Sequence, residues 1–213
     1  GAIKTGKYSR KNWIEKERNF DVFDIKNDAF RTLNEIGIDS QKIIVNNKTK
    51  KWYHPGRSGL LSLGSSNGPE LAYFGEIHPL IIKKLDLRVE SILGFEIFLD
   101  NMPNSKKKIR DTKPQFIVSD YQKVIRDFAF VVEEKFSSGE IVNLVKNIDQ
   151  ELIKTVKIFD IYQGENIELG KKSIAFSVTF QSKDKTLGDE DIDKVSKNII
   201  SAVQNITGAE LRS

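Results

Sequence analysis

The sequence predicts an α+β protein in two parts, an antiparallel sheet module followed by a compact βαββαβ unit. Three observations lead there. Short apolar runs separated by Asn, Gly, Ser and Pro clusters fill the first half. Strand and helix periodicities alternate in a regular order through the second. Between them, residues 101–114 combine two prolines, a lysine run and few apolar side chains, the composition of an exposed connector. The parts are therefore read as residues 1–103, a basic linker over 104–116, and residues 117–213.

In the first part, Ala29, Phe30, Leu33 and Ile36 recur at helical spacing over residues 28–36, and Gly37 ends the run. Residues 42–45, 51–54, 59–63, 71–77 and 93–99 read as short strands, most economically joined in one antiparallel sheet. Pro79 opens a short helix through Leu85, because the missing proline N–H costs nothing in a first turn. The chain begins with Gly1 rather than methionine and without a recognisable first element, so it reads as a piece of a longer protein.

In the second part, residues 126–132 form a strand. Ser137 followed by Glu140 is a capping-box signal for a helix reaching about residue 148. Residues 156–162 are the next strand, and Gly164 and Gly170 bracket a turn before a strand over 172–181. Ile192, Val195, Ile199, Ala202, Val203 and Ile206 mark a helix over 188–206, and residues 209–212 form a last strand. This βαββαβ order is the split arrangement of ferredoxin-like folds, with two helices on one face of a sheet. Alternation within 172–181 points Ile174, Phe176, Val178 and Phe180 toward the helices. Ser173, Ala175, Ser177 and Thr179 then form a small-residue open face that another molecule's backbone can approach closely, and a cationic surface is expected there.

Composition narrows the function classes. Hydrophobic residues at 38% and charged residues at 30% belong to a folding, globular chain. No run approaches the roughly 20 apolar residues of a membrane helix, and the N-terminus lacks a signal-peptide core, so a cytoplasmic protein without membrane contact is expected. The absence of cysteine removes disulfides, thiolate chemistry and the commonest zinc ligands. The net charge of +4 is modest, but Lys106, Lys107, Lys108, Arg110, Lys113, Lys123 and Arg126 face only Asp111 and Asp120 within residues 106–126. There is no glycine-rich phosphate loop. His54 and His78 each precede a proline and lack a second ligand at helical spacing, so no metal site is expected.

Several separated motifs carry a resemblance over nearly the whole chain. They are Asp21-Val22-Phe23-Asp24-Ile25-Lys26, His54-Pro55-Gly56-Arg57-Ser58 and Gly75-Glu76-Ile77-His78-Pro79. Further on come Arg126-Asp127-Phe128-Ala129, Phe159-Asp160-Ile161-Tyr162 with Gly164, and Lys171-Lys172-Ser173 with Ala175. Thr186-Leu187 and Gly208-Ala209 with Leu211-Arg212 complete the set. In this order they resemble the bacterial phenylalanine–tRNA ligase (phenylalanyl-tRNA synthetase) beta subunit. The resemblance implies a first part similar to its catalytic-like module, which keeps a class II synthetase sheet without the chemistry and packs against the catalytic alpha subunit. It implies a second part similar to the ferredoxin-fold anticodon-binding domain, which contacts the anticodon stem-loop of phenylalanine tRNA in an α2β2 heterotetramer. ATP and Mg2+ would serve the whole enzyme, with no cofactor in this fragment, which is expected to be inactive alone. The family's editing domain and N-terminal tRNA-binding-like domain have no counterpart here. The pattern departs at Gln122, where proline is usual, at Ile125, usually basic, and at Asn27, usually glycine; Lys123 can substitute for the charge missing at 125.

Arg88-Val89-Glu90 lacks the aromatic lead and glycine-rich partner of a class II signature, so no catalytic residue is assigned. For RNA the assigned residues are Tyr121 for stacking, Lys123, Arg126, Lys171, Lys172 and Arg212 for phosphates, and Ser173 and Ser177 on the open face. Asp24, His54, Pro55, Gly56, Arg57, Gly75, His78, Asp127, Asp160, Tyr162 and Gly164 are assigned to holding the structure, with Arg57 anchoring a carboxylate. The competing functions are a regulatory ferredoxin-like module for a small ligand and a purely architectural subunit fragment.

Overall fold

The computed structural model describes residues 1–103 and 119–212, and the basic run at 106–113 lies outside them. The chain divides into two compact units, Gly1–Thr112 and Lys113–Ser213.

In the first unit β1 (Ala2–Thr5), α1 (Val22–Glu35), β2 (Ile43–Asn46), β3 (Tyr53–Leu63), β4 (Glu70–Ile77), α2 (Pro79–Lys84) and β5 (Ile92–Ile97) follow one another. The strands form one antiparallel sheet in the order β1-β5-β4-β3-β2. Helix α1 closes one face: Ile25, Ala29 and Leu33 are fully buried against Leu61, Phe74, Leu93 and Phe95. Leu60, Tyr53 and Tyr73 make a smaller cluster of their own with Ile77 and Phe98.

Helix α1 begins six residues before the expected Asp28. The Asp21 side chain accepts the backbone N–H of Phe23 and Asp24, and the Asp24 carboxylate in turn accepts the Asp21 N–H at 2.9 Å. Arg18 grips the same Asp24 carboxylate through both terminal nitrogens, at 2.6 and 2.8 Å. This is a capping box with Asp in place of Glu, which the apolar periodicity alone does not reveal. Gly37, at φ +99°, stops the helix as expected. The chain start also differs from expectation, because Ala2–Thr5 is a strand paired with β5; edge strands this short carry little periodicity of their own.

The two strands expected at 51–54 and 59–63 are one, β3, with a register break between Tyr53 and Ser58. Pro55 cannot donate to a ladder, so the chain bulges there and resumes at Ser58 opposite Gly75. Gly75 lies at φ +151°, and a Cβ on it would meet the Ser58 Cα at 2.6 Å and the Arg57 carbonyl at 2.7 Å. Only glycine lets β3 and β4 pass so closely.

The second unit contains β6 (Val124–Glu133), α3 (Ser138–Ile148), β7 (Ile153–Tyr162), β8 (Lys171–Phe180), α4 (Asp189–Thr207) and β9 (Glu210–Leu211). The sheet order β7-β8-β6-β9, all antiparallel, is the predicted split βαββαβ arrangement. Ser137 and Glu140 form the predicted capping box at 3.2 and 2.8 Å. Ile174, Phe176, Val178 and Phe180 are at most 1% exposed, packed with Ile141 and Val145 of α3 and Ile192, Val195, Ile199 and Val203 of α4. Phe176 lies between Phe128 and Phe130, with ring centroids 5.7 and 5.9 Å away.

Two consequences can be measured. Gly75→Ala should destabilise the first unit by about 2–3 kcal/mol in urea unfolding, since the added methyl meets backbone that cannot yield. The Arg18 guanidinium holds the Asp24 carboxyl below the usual carboxylate range. A depressed carboxyl stabilises the fold above its unfolded pKa and loses that contribution as pH falls through the folded one. Asp24→Asn should therefore lower the first unit's urea midpoint at neutral pH, with the gap closing as acid protonates the unaltered carboxyl; a gap independent of pH would contradict this.

Candidate nucleic-acid interface

The second sheet leaves the face away from α3 and α4 open, and strand register states which residues share it. In four rows across β7, β8 and β6 these are Thr155, Thr179 and Ile125; Lys157, Ser177 and Asp127; Asp160, Ala175 and Ala129; and Tyr162, Ser173 and Val131. Strand β9 adds Glu210 opposite Val131, and the Arg212 N–H donates to the Ala129 carbonyl at 2.8 Å. The middle of the face is built of alanine and serine. Ser177 Oγ donates to Asp127 Oδ1 at 2.6 Å, and Thr155 and Thr179 bond across their strands at 3.0 Å.

The β7 side of this face depends on a bulge. Simple alternation from Lys157 would put Phe159 and Ile161 on the open face and Asp160 and Tyr162 under the helices. The register instead shifts between Ile158 and Asp160, so Asp160 lies opposite Ala175 and Tyr162 opposite Ser173. Both are exposed. Tyr162 Oη donates to the Glu165 carbonyl at 3.2 Å, and its ring leans on Gly164, where a Cβ would stand 2.7 Å from Oη. An exposed aromatic ring and an exposed carboxylate thus stand beside a small-residue floor. The sequence assigned both to structure because the bulge has no local signature.

The residues expected to touch RNA are spread over the unit. Tyr121 is half-buried; its carbonyl accepts from Gln181 Nε2 at 2.7 Å, which ties its segment to the end of β8. Lys123 is exposed just before β6. Arg126 is exposed but pairs in register with the buried Val178, on the helix side, whereas its neighbour Asp127 is on the open face. Lys171 and Lys172 lie at the other end of the ten-residue strands, about 30 Å from Lys123 by strand rise. Lys171 pairs with Glu168 at 2.7 Å, which raises the lysine pKa and lowers that of the carboxyl. Lys172, on the helix side, donates to the Glu134 carbonyl at 3.0 Å. Ser173 is 4% exposed between Tyr162 and Val131, Ser177 is half-exposed, and Arg212 is exposed.

The open face is therefore small-residue as expected but not cationic: Asp127, Glu133, Asp160 and Glu210 accompany Lys157, Lys171 and Arg212. Residues 119–212 as a whole hold 13 Lys and Arg against 16 Asp and Glu, so the chain's positive excess resides before this unit.

The motif residues of the first unit have identifiable partners. Arg57 grips Glu76 through Nε and a terminal nitrogen at 2.5 and 3.0 Å, the expected carboxylate anchor across the β3 bulge. His54 Nδ1 accepts the Gly56 N–H at 3.0 Å, and His78 Nδ1 accepts the Leu80 N–H at 3.2 Å, capping α2. Their rings stack with centroids 6.5 Å apart. Among the described residues no group of three or more His, Cys, Asp or Glu is arranged to hold a metal ion.

Residues 119–212 match the family model of the ferredoxin-fold anticodon binding domain, and residues 1–99 match that of the phenylalanyl tRNA synthetase beta chain CLM domain. The phenylalanine–tRNA ligase beta subunit of Rhodospirillum rubrum is 40% identical over 212 residues, covering 100% of this chain and 26% of its own length. That of Paramagnetospirillum magneticum is 40% identical over 99% of this chain and 26% of its own, and that of Rickettsia bellii 39% identical over 99% and 24%. The chain thus spans about a quarter of the curated relatives it matches. With both units matched in order and the relatives similar along its whole length, the chain belongs to the phenylalanine–tRNA ligase beta-subunit family.

Proposed function

We propose that the second unit binds the anticodon stem-loop of phenylalanine tRNA through the open face of its sheet. The observation carrying this reading is the row containing Tyr162 and Ser173 beside that of Asp160 and Ala175, at one edge of an uncovered sheet. An exposed ring over a small-residue floor suits an unstacked base, since proteins read RNA sequence mostly from splayed loop bases stacked on aromatic side chains. A neighbouring carboxylate accepts hydrogen bonds from the N–H groups of a base edge, and guanine offers two such donors side by side on its Watson–Crick edge. Lys157 and Arg212 on the same face, with Lys123 at its end, are available to phosphates.

The first unit holds no assigned chemistry, and we read it as support for a companion subunit. The relatives' name, beta subunit, supports such a partner, which would be the catalytic alpha subunit of an α2β2 assembly. ATP-dependent joining of phenylalanine to tRNA, with ATP and Mg2+, would then belong to the whole enzyme and this chain would act as its non-catalytic part. No helix among the described residues is long and apolar enough to cross a membrane, and a cytoplasmic location is part of this proposal.

Fluorescence anisotropy with a labelled anticodon stem-loop tests the RNA reading. Tyr162→Ala should weaken binding about tenfold, within the ~1–3 kcal/mol typical of one base stack. Gly164→Ala should weaken it less, by displacing the ring without removing it. Because the unit carries more acid than base, the logarithmic salt slope should correspond to only a few contacts, at about 0.7–0.9 each. A stem-loop that binds no better than an unrelated hairpin, or a Tyr162→Ala chain that binds as tightly as the unaltered one, would overturn the reading.

A further inference from the structure

Helix α1 has a second side. Opposite the buried Ile25, Ala29 and Leu33 runs a stripe of Phe23, Lys26, Asn27, Phe30, Arg31 and Asn34 at helical spacing. The stripe lines an open groove of about 560 Å³, together with Ser40 just beyond the helix. Phe23 is 70% exposed, and Phe30 is half-buried with part of its surface packed against the core. The Lys26 ammonium lies 5.9 Å from the Phe30 ring centroid, and burial pushes its pKa down. Neither Lys26 nor Arg31 takes part in an ion pair among the described residues, and no carboxylate lines the groove.

We propose that this outward stripe of α1 is a docking surface for an acidic, partly apolar segment of the companion subunit. The inference rests on the reading of a partnered subunit given above. Its physical content is complementarity. A cation that has lost part of its hydration gains most from a carboxylate that arrives with apolar surface and excludes the remaining water. A nucleic-acid backbone would bring charge but little apolar surface, and phosphate contacts draw on well-hydrated exposed cations. An exposed phenylalanine, the uncovered part of a second and an arginine match the centre of a protein interface, where aromatic residues and arginine are enriched and carry most of the binding energy. The spacing also suits an elongated partner, because side chains at i, i+3, i+4, i+7 and i+8 form one continuous strip along a helix.

The test is calorimetric titration of the whole 213-residue chain with the separately purified companion subunit, with anticodon stem-loop binding measured on the same samples. A Lys26→Glu, Arg31→Glu double variant should bind the companion at least tenfold more weakly, while its RNA affinity and circular dichroism stay unchanged. Phe23→Ala, at a position too exposed to matter for folding, should weaken association several-fold by itself. Lys26→Arg, which keeps the charge, should retain most of it. The proposal is overturned if the unaltered chain does not associate, or if Phe23→Ala and the double variant both associate at full strength. It is equally overturned if the double variant loses RNA instead of the companion, because the stripe would then be a nucleic-acid surface. An unaltered chain that associates with the companion yet binds no RNA sinks the anticodon reading and leaves this one standing.

Discussion

The second unit depends on strand β8 being paired on both sides while its two faces do different work. Ile174, Phe176, Val178 and Phe180 are sealed under α3 and α4, so the strand cannot slip by one residue without turning four large apolar side chains into water. At roughly 1.5–3 kcal/mol for each buried side chain, that penalty rivals the whole stability of a domain of this size. Register is therefore fixed by the core. Ala175, Ser177 and Thr179 reach the opposite face by the same constraint, and this leaves the floor low enough for another molecule to approach.

A fixed register on β8 makes the deviation on β7 informative. The bulge at Phe159 lets one face of the strand follow the core as far as Ile158 and then brings Asp160 and Tyr162 to the open side. Edge strands tolerate such an insertion because only one neighbour must be satisfied, and β7 is an edge. Phe159 falls in the bulge and Ile161 turns to the helix side opposite Ile174, and they are 60% and 51% exposed. Polar recognition groups thus gain the sheet surface at an end of β7 where apolar side chains have little cover, the pattern expected where local stability is traded for a binding surface.

The first unit uses the same devices for a different end. Its sheet is broken by a bulge at Pro55–Arg57 and bridged by the Arg57–Glu76 pair, while Gly75 lets the flanking strands pass in contact. Helix α1 is anchored at its start by Arg18, Asp21 and Asp24 acting together. A helix so firmly capped and packed on one side presents its outer side chains in a rigid row, which lowers the entropy lost when a partner binds.

Periodicity and turn chemistry were enough to read the two-part α+β architecture, the βαββαβ order, the Ser137 capping box and the inward set on β8, because each is written in residues close together in sequence. The ordered motifs identified the family for the same reason. The merging of β3, the strand at Ala2–Thr5 and the start of α1 at Val22 were not legible, since each depends on a partner distant in sequence, as Ala2 on Phe95, or on a side-chain bond between charged groups. For the candidate site the small-residue floor was visible, but its charge and its aromatic edge were not. Arg126 and Lys172 proved to share the helix side, and Asp160 and Tyr162 the open side, because strand pairing and one bulge decide which way a side chain points. Sequence alone determined which residues were present and which local elements they favour; tertiary pairing decided which of them meet, since a face exists only once neighbouring strands have set their register.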